Sequence, residues 1–143
     1  MNWMRLAAAA IAAWIVSIAL GYVVNDMLLA GLYAANQNAF RPQPDMMTML
    51  PIGFAATFVG FFVMSYAYAK GYEGGSGTME GLRFGLVVGV LLSCFAIVWE
   101  YVVFPIQAAM NVAMVADTIV EFTIYGGIIG TIYKPRAIAA AST

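Results

Sequence analysis

The chain has 143 residues, 64% of them hydrophobic and only 9% charged, with a net charge of −1 and no histidine. Soluble domains carry about 45–50% apolar and about 25% charged residues, and a domain this short buries too little of its surface to hide the excess, so lipid is the expected solvent. The near-neutral charge gives no basic surface for nucleic acid. The absent histidine and the lone Cys94 remove the commonest general base, the usual zinc and haem ligands, an intrachain disulfide and a thiolate metal cluster.

A helix crossing the ~30 Å hydrocarbon core needs about 20 apolar residues. The first such run is predicted over 6–28. It is uncharged to residue 24, interrupted by Asn25-Asp26, and apolar again to residue 35, so the helix is expected to run on past the membrane boundary. Arg5 precedes an apolar run of about 19 residues, longer than the 7–15 of a signal-peptide core, so this segment is read as an uncleaved span. Residues 36–48 hold Arg41-Pro42-Gln43-Pro44-Asp45 and read as a polar, proline-broken loop. The second span is predicted over 49–69, with Pro51 near its start. A flexible turn at 71–80 carries Gly74-Gly75-Ser76-Gly77, and Thr78 is the expected N-cap of the third span, 82–103, with Glu80 in its first turn. Phe104-Pro105-Ile106-Gln107 is a short turn, the fourth span is predicted over 112–133, and Lys134-Pro135-Arg136 ends it ahead of a loose Ala-rich tail. The expected fold class is therefore all-α: one polytopic domain over 1–143, with four transmembrane helices in a bundle.

Arg5, Lys70, Arg83, Lys134 and Arg136 fall on one side of such a bundle and only Arg41 on the other. The positive-inside rule then predicts both termini in the cytoplasm. Trp3, Tyr66, Tyr68, Tyr72 and Tyr133 would form the inner aromatic belt, and Phe40, Trp99, Tyr101 and Phe104 the outer one.

Gly81, Gly85, Gly89 and Ser93 recur every fourth residue on the third helix. Small residues at this spacing let two helix backbones approach closely in lipid. The stripe is a candidate packing interface, either inside the four-helix unit, where Gly126, Gly127 and Gly130 could meet it, or against another subunit.

Asp26, Glu100, Asp117 and Glu121 form a candidate intramembrane polar cluster in the outer half of the bilayer. Asp117 and Glu121 are four apart and share a helix face. Carboxylates in lipid are costly, and intramembrane acids are a functional-site hypothesis by default. Three resolutions stay open: neutral or hydrogen-bonded acids locking helices together with Asn25, Asn111, Thr118 and tyrosines; pairing with Arg41 or with a partner subunit; or binding of a cation or relay of protons. The ten methionines, Met46, Met47, Met49, Met110 and Met114 among them, read as adaptable packing rather than copper ligands, and Cys94 as a small buried-depth hydrophobe. No nucleophile–base pair, phosphate loop or dinucleotide fingerprint is present.

Two passages, Tyr68-Ala69-Lys70-Gly71-Tyr72-Glu73-Gly74 with Glu80-Gly81-Leu82-Arg83-Phe84-Gly85, and Tyr101-Val102-Val103-Phe104-Pro105-Ile106 with Glu121, Gly126, Gly130 and Tyr133-Lys134-Pro135, make the chain resemble an uncharacterised family of small bacterial four-helix membrane proteins. The resemblance, over residues 15–135, implies four helices and a bacterial inner-membrane location; it brings no activity and no functional residues. The expected role is a non-catalytic accessory or structural subunit beside a larger membrane complex of respiratory or photosynthetic type. It would contact lipid and other subunits, and quinone or carotenoid contact fits its aromatic and aliphatic faces. No metal, cofactor or catalytic residue is assigned. The alternative is a small homo-oligomeric transporter or channel that moves a cation or protons along the carboxylates.

Overall fold

A computed structural model describes residues 1–133 of the chain. Helix α1, Trp3–Gly21, opens on an Asn2 cap whose side chain accepts from the Arg5 N–H at 3.1 Å. It widens into a π-type segment, Tyr22–Leu28, without a break. The expected continuation past the boundary takes a different form. Leu29 leaves helical geometry (φ −99°, ψ 3°), and a separate short helix α2, Ala30–Ala35, follows, with one 3₁₀ turn at Gln37–Ala39. Helix α3 spans Gln43–Gly71, α4 spans Gly77–Leu92, a π-type segment Ser93–Ile97 joins it to α5, Val98–Val103, and α6 spans Ala108–Ile132. Four continuous rods result, Trp3–Leu28, Gln43–Gly71, Gly77–Val103 and Ala108–Ile132, each long and apolar enough to cross a membrane. Among the described residues there is no strand.

The second rod begins six residues before the predicted 49, inside the stretch read as loop. Proline carries no N–H and its fixed φ suits the first turn, so Pro42 as cap and Pro44 within the first turn start the helix rather than prevent it. Pro51 also lies within α3. The cap of α4 is Ser76 in extended geometry, not Thr78, whose hydroxyl instead meets Thr131 Oγ1 on α6 at 2.9 Å. Glu80 does sit in the first turn of α4, but its carboxylate folds back onto the preceding loop, accepting from the Glu73 N–H at 3.2 Å and the Gly75 N–H at 2.5 Å. The expected charges at Lys134 and Arg136 lie outside the described residues.

The helices pack in the order α3, α1, α6, α4. The α4–α6 contact is by far the most extensive, and the glycines explain it. Added β-carbons on Gly77, Gly81 and Gly85 would collide with the backbone of Gly130, Gly126 and Phe122 in turn, and one on Gly89 would lie 2.9 Å from Ile119 Cα. The two helices thus run antiparallel with backbones touching. The small-residue stripe is spent inside the chain, and Ser93 is buried at its end, donating to the Gly89 carbonyl at 2.8 Å. A second seam uses Ala9, Ala10 and Ala13 of α1, all fully buried, against Phe61, Met64 and Tyr68 of α3 and Tyr125 and Ile129 of α6.

Arg5, Lys70 and Arg83 lie at one end of the rods, hereafter the basic end. Trp3 stacks on Tyr66 there (6.3 Å between centroids), and the Lys70 ammonium stands 5.7 Å over the Tyr66 ring. Tyr68 and Tyr133, expected in the aromatic belt, are instead core residues, 2% and 4% exposed. The Tyr68 ring touches Phe84 and Tyr133, and its hydroxyl donates to the Gly77 carbonyl at 2.8 Å, tying α3 to the start of α4. A phenol satisfied by a backbone carbonyl can be buried where a bare one would be costly.

Towards the opposite, acidic end, α3 leaves its neighbours. Its last buried residue in that direction is Phe61, and every residue from 41 to 60 is exposed. One strut remains: the Trp14 indole N–H donates to the Phe54 carbonyl (3.2 Å) and to Thr57 Oγ1 (3.3 Å), with the Trp14 ring edge-on to Phe58. The bundle is therefore closed at the basic end and open between α3 and the rest at the acidic end.

Candidate functional site

Of the four sequence-selected carboxylates, Asp26, Glu100 and Asp117 lie in the acidic half of the rods and Glu121 at the middle of α6. Asp26 sits within the π-type segment that follows α1, Glu100 in the first turn of α5 just past the second π-type segment, and Asp117 and Glu121 one turn apart on α6. π-type turns occur often at functional sites, because the extra residue re-aims the side chains that follow. Asp26 is exposed; Glu100, Asp117 and Glu121 are half-buried.

Tyr33 of α2 lies within electrostatic reach of all four. Burial is the largest cause raising its phenol above the ordinary value of 10.0, and the charges of Asp117, Glu100, Asp26 and Glu121 each raise it further, in that order. Its hydroxyl donates to Asn25 Oδ1 at 2.9 Å, and its ring packs on Phe40 with centroids 5.3 Å apart. The break at Leu29 folds α2 back so that Tyr33 meets Asn25.

Glu121 is the best-anchored of the four. The Tyr125 hydroxyl donates to Glu121 Oε2 at 2.7 Å, while Glu121 Oε1 is buried with no hydrogen-bond partner. A buried oxygen without a donor is costly, so this group is a point of unspent polarity in the fold. Asp26, Glu100 and Asp117 accept no hydrogen bond from any described residue, and no ion pair joins the cluster to Arg41, which is exposed. The expected locks form only in part: Asn25 bonds Tyr33 and Glu121 bonds Tyr125, but Asn111 donates to the Ile97 carbonyl (2.7 Å) rather than to a carboxylate. Among the described residues no three acids and thiols converge closely enough to hold a metal ion.

Sequence reasoning did not single out Tyr33 or Asn36. Asn36 is buried; its amide donates to the Leu32 carbonyl (2.8 Å) and its Oδ1 accepts from the Gln107 N–H (2.7 Å), fastening α2 to the start of α6 across the acidic end. A polar-tipped aromatic and an asparagine just beyond an interrupted apolar run were the available signals. Met110 is fully buried, Met46, Met47 and Met49 are exposed on α3, and Cys94 is exposed on the outer face of the second π-type segment.

No family model, curated protein or solved structure matches the chain.

Proposed function

We propose that the chain is a non-catalytic accessory or structural subunit of a larger membrane complex, respiratory or photosynthetic in type, in a bacterial inner membrane with both termini cytoplasmic. The observation that carries this reading is the unpartnered half of α3, exposed from residue 41 to 60. A helix held by its neighbours over half its length presents its other half to something else. The basic end, with Arg5, Lys70 and Arg83, supports the orientation through the positive-inside rule. The resemblance noted above supports the location. Lipid covers the remaining apolar surface, and a quinone or carotenoid would find aromatic contacts at Trp99, Tyr101 and Phe104, all exposed. A mild-detergent pull-down through a C-terminal tag, with native mass analysis, tests the reading. Defined partners at fixed ratio are expected; isolation solely as a protomer or homo-oligomer sinks it.

A second reading, a small oligomeric transporter or channel for a cation or protons, is favoured by the pairing of Asp117 and Glu121 on one face of α6 and by the unpartnered Glu121 Oε1. It requires ion or proton flux in liposomes that Glu121→Gln abolishes without unfolding the chain. Absence of flux in the wild type, or its persistence in that variant, rules it out.

A further inference from the structure

Towards the basic end, the exposed side of α3 changes character along its length. Val59, Val63, Tyr66 and Lys70, spaced i, i+4, i+7 and i+11, follow one stripe of the helix, and all four are exposed. At ~1.5 Å per residue the stripe covers roughly 16 Å, half of the ~30 Å hydrocarbon core. It runs from aliphatic side chains near mid-membrane, through an aromatic ring, to an ammonium at the basic end. That is the lengthwise profile of one phospholipid. The stripe widens onto α1 there, where exposed Trp3 stacks on Tyr66 with 19° between the ring planes. The Tyr66 ring draws the Lys70 ammonium over its face, which keeps the charge at the level of the two rings without neutralising it. Acids do not neutralise it either. Glu80 is turned into the loop, onto the N–H groups of Glu73 and Gly75, and Lys70 forms no ion pair among the described residues.

We propose that this stripe is a binding site for an anionic phospholipid such as phosphatidylglycerol. Its phosphate would sit on Lys70, its glycerol region against Trp3 and Tyr66, and an acyl chain along Val63 and Val59. Any phospholipid would cover the aliphatic part; charge decides which one stays. A zwitterionic headgroup brings a cation of its own to Lys70, and an anionic one does not. Basic residues beside the ends of transmembrane helices recognise anionic headgroups in this way, and aromatic rings favour the same depth. A second copy of this chain is the poorer occupant, because placed in the same orientation it brings Arg5, Lys70 and Arg83 to this end, like charge against like. The site is independent of the accessory role, and stands equally if the chain is a transporter.

Trp3 is a built-in reporter. In the full chain, Trp14→Phe with Trp99→Phe leaves it as the sole tryptophan. The chain is placed in mixed phosphatidylglycerol–phosphatidylcholine vesicles in which one lipid or the other is brominated near the headgroup end of its acyl chains. Bromine quenches a tryptophan it touches, so only a lipid, not free phosphate, registers. Phosphatidylglycerol is expected to occupy the site about fivefold more tightly than phosphatidylcholine. Lys70→Gln should erase the preference. Arg83→Gln, the same loss of charge on α4, should leave it in place, with helical circular dichroism kept throughout. Equal quenching by the two lipids overturns the proposal. So does an equal effect of the two substitutions, which would assign the preference to the surface as a whole. Quenching by neither lipid overturns it too, because a second copy would then cover the stripe. The unaltered chain gives a reading that does not depend on the tryptophan substitutions. Native mass analysis from mild detergent containing both lipids should find phosphatidylglycerol retained over phosphatidylcholine, and less of it on Lys70→Gln; equal retention refutes the site.

Discussion

Alanine at Gly126 tests the tight contact between α4 and α6. Its β-carbon would collide with the Gly81 carbonyl oxygen and lie 2.6 Å from Gly85 Cα and 2.7 Å from Gly85 N. Carbon atoms rest at about 3.5–4.0 Å, so α4 and α6 must part by roughly 1 Å at this level. All three obstacles are backbone, and no rotamer change relieves them. Overpacking of this kind costs about 1–3 kcal/mol. Alanine's better helix propensity returns about 1 kcal/mol, which leaves a net loss of roughly 1 kcal/mol. Gly60→Ala is the matched control: nothing lies within 4 Å of its added carbon, so only the propensity gain of up to about 1 kcal/mol remains. The two variants should therefore differ by roughly 2 kcal/mol, about thirtyfold in the unfolding equilibrium. Reversible unfolding in mixed detergent–SDS micelles, followed by tryptophan fluorescence, reads the difference. If Gly126→Ala proves as stable as Gly60→Ala, the backbone contact does not hold α4 to α6 and the packing argument fails.

Three further outcomes are expected. Tyr125→Phe leaves Glu121 without its one donor and should cost about 1–3 kcal/mol; a double-mutant cycle with Glu121→Gln should give a coupling of about 0.5 kcal/mol or more, and additivity would show the bond to be idle. Asn36→Ala strips the Gln107 N–H of its acceptor, so amide exchange at the start of α6 should quicken by roughly tenfold or more, with exchange in the α4–α6 glycine seam unchanged. The Tyr33 phenol is raised, so it stays neutral past the ordinary value of 10.0, and the stability tied to it is present below that pH and lost as pH climbs through the raised value. The absorbance titration of wild type minus Tyr33→Phe should show this, and Asp117→Asn should move the difference curve to lower pH; an unmoved curve would separate Tyr33 from the acids.

The four spans were legible because hydropathy over about 20 residues reports the solvent, not the partner. Their ends were less so. Pro42 and Pro44 look alike whether they break a loop or open a helix, and only the position of the following apolar run decides between them. Gly81, Gly85 and Gly89 announced a close helix contact, but the spacing carries no address, and it took α6 alongside to show that the contact is internal. Tyr68 and Tyr133 were placed in a belt because a tyrosine near a span end reads the same whether its hydroxyl meets headgroups or a carbonyl such as that of Gly77. For the acids, the pairing of Asp117 with Glu121 followed from helical spacing. The fold-back of α2 that sets Tyr33 against Asn25 did not, because it depends on the break at Leu29.

The two π-type segments bear on how this chain tolerates change in length. Each holds one residue more than a regular helix needs over the same turn, and the helix on either side keeps its facing as though that residue were absent. Loss of one residue from Ser93–Ile97 should therefore let the rod close into unbroken α-helix with Gly85 and Glu100 still on their present sides, at the expense of the Asn111 bond to Ile97. The same loss within Gly77–Leu92 would turn one half of the glycine seam by about 100° and pull it off α6, so paired deletions compared by detergent unfolding should differ sharply. The wide turns are places where the chain can gain or shed a residue, as a spliced rope takes up slack, without re-threading the bundle.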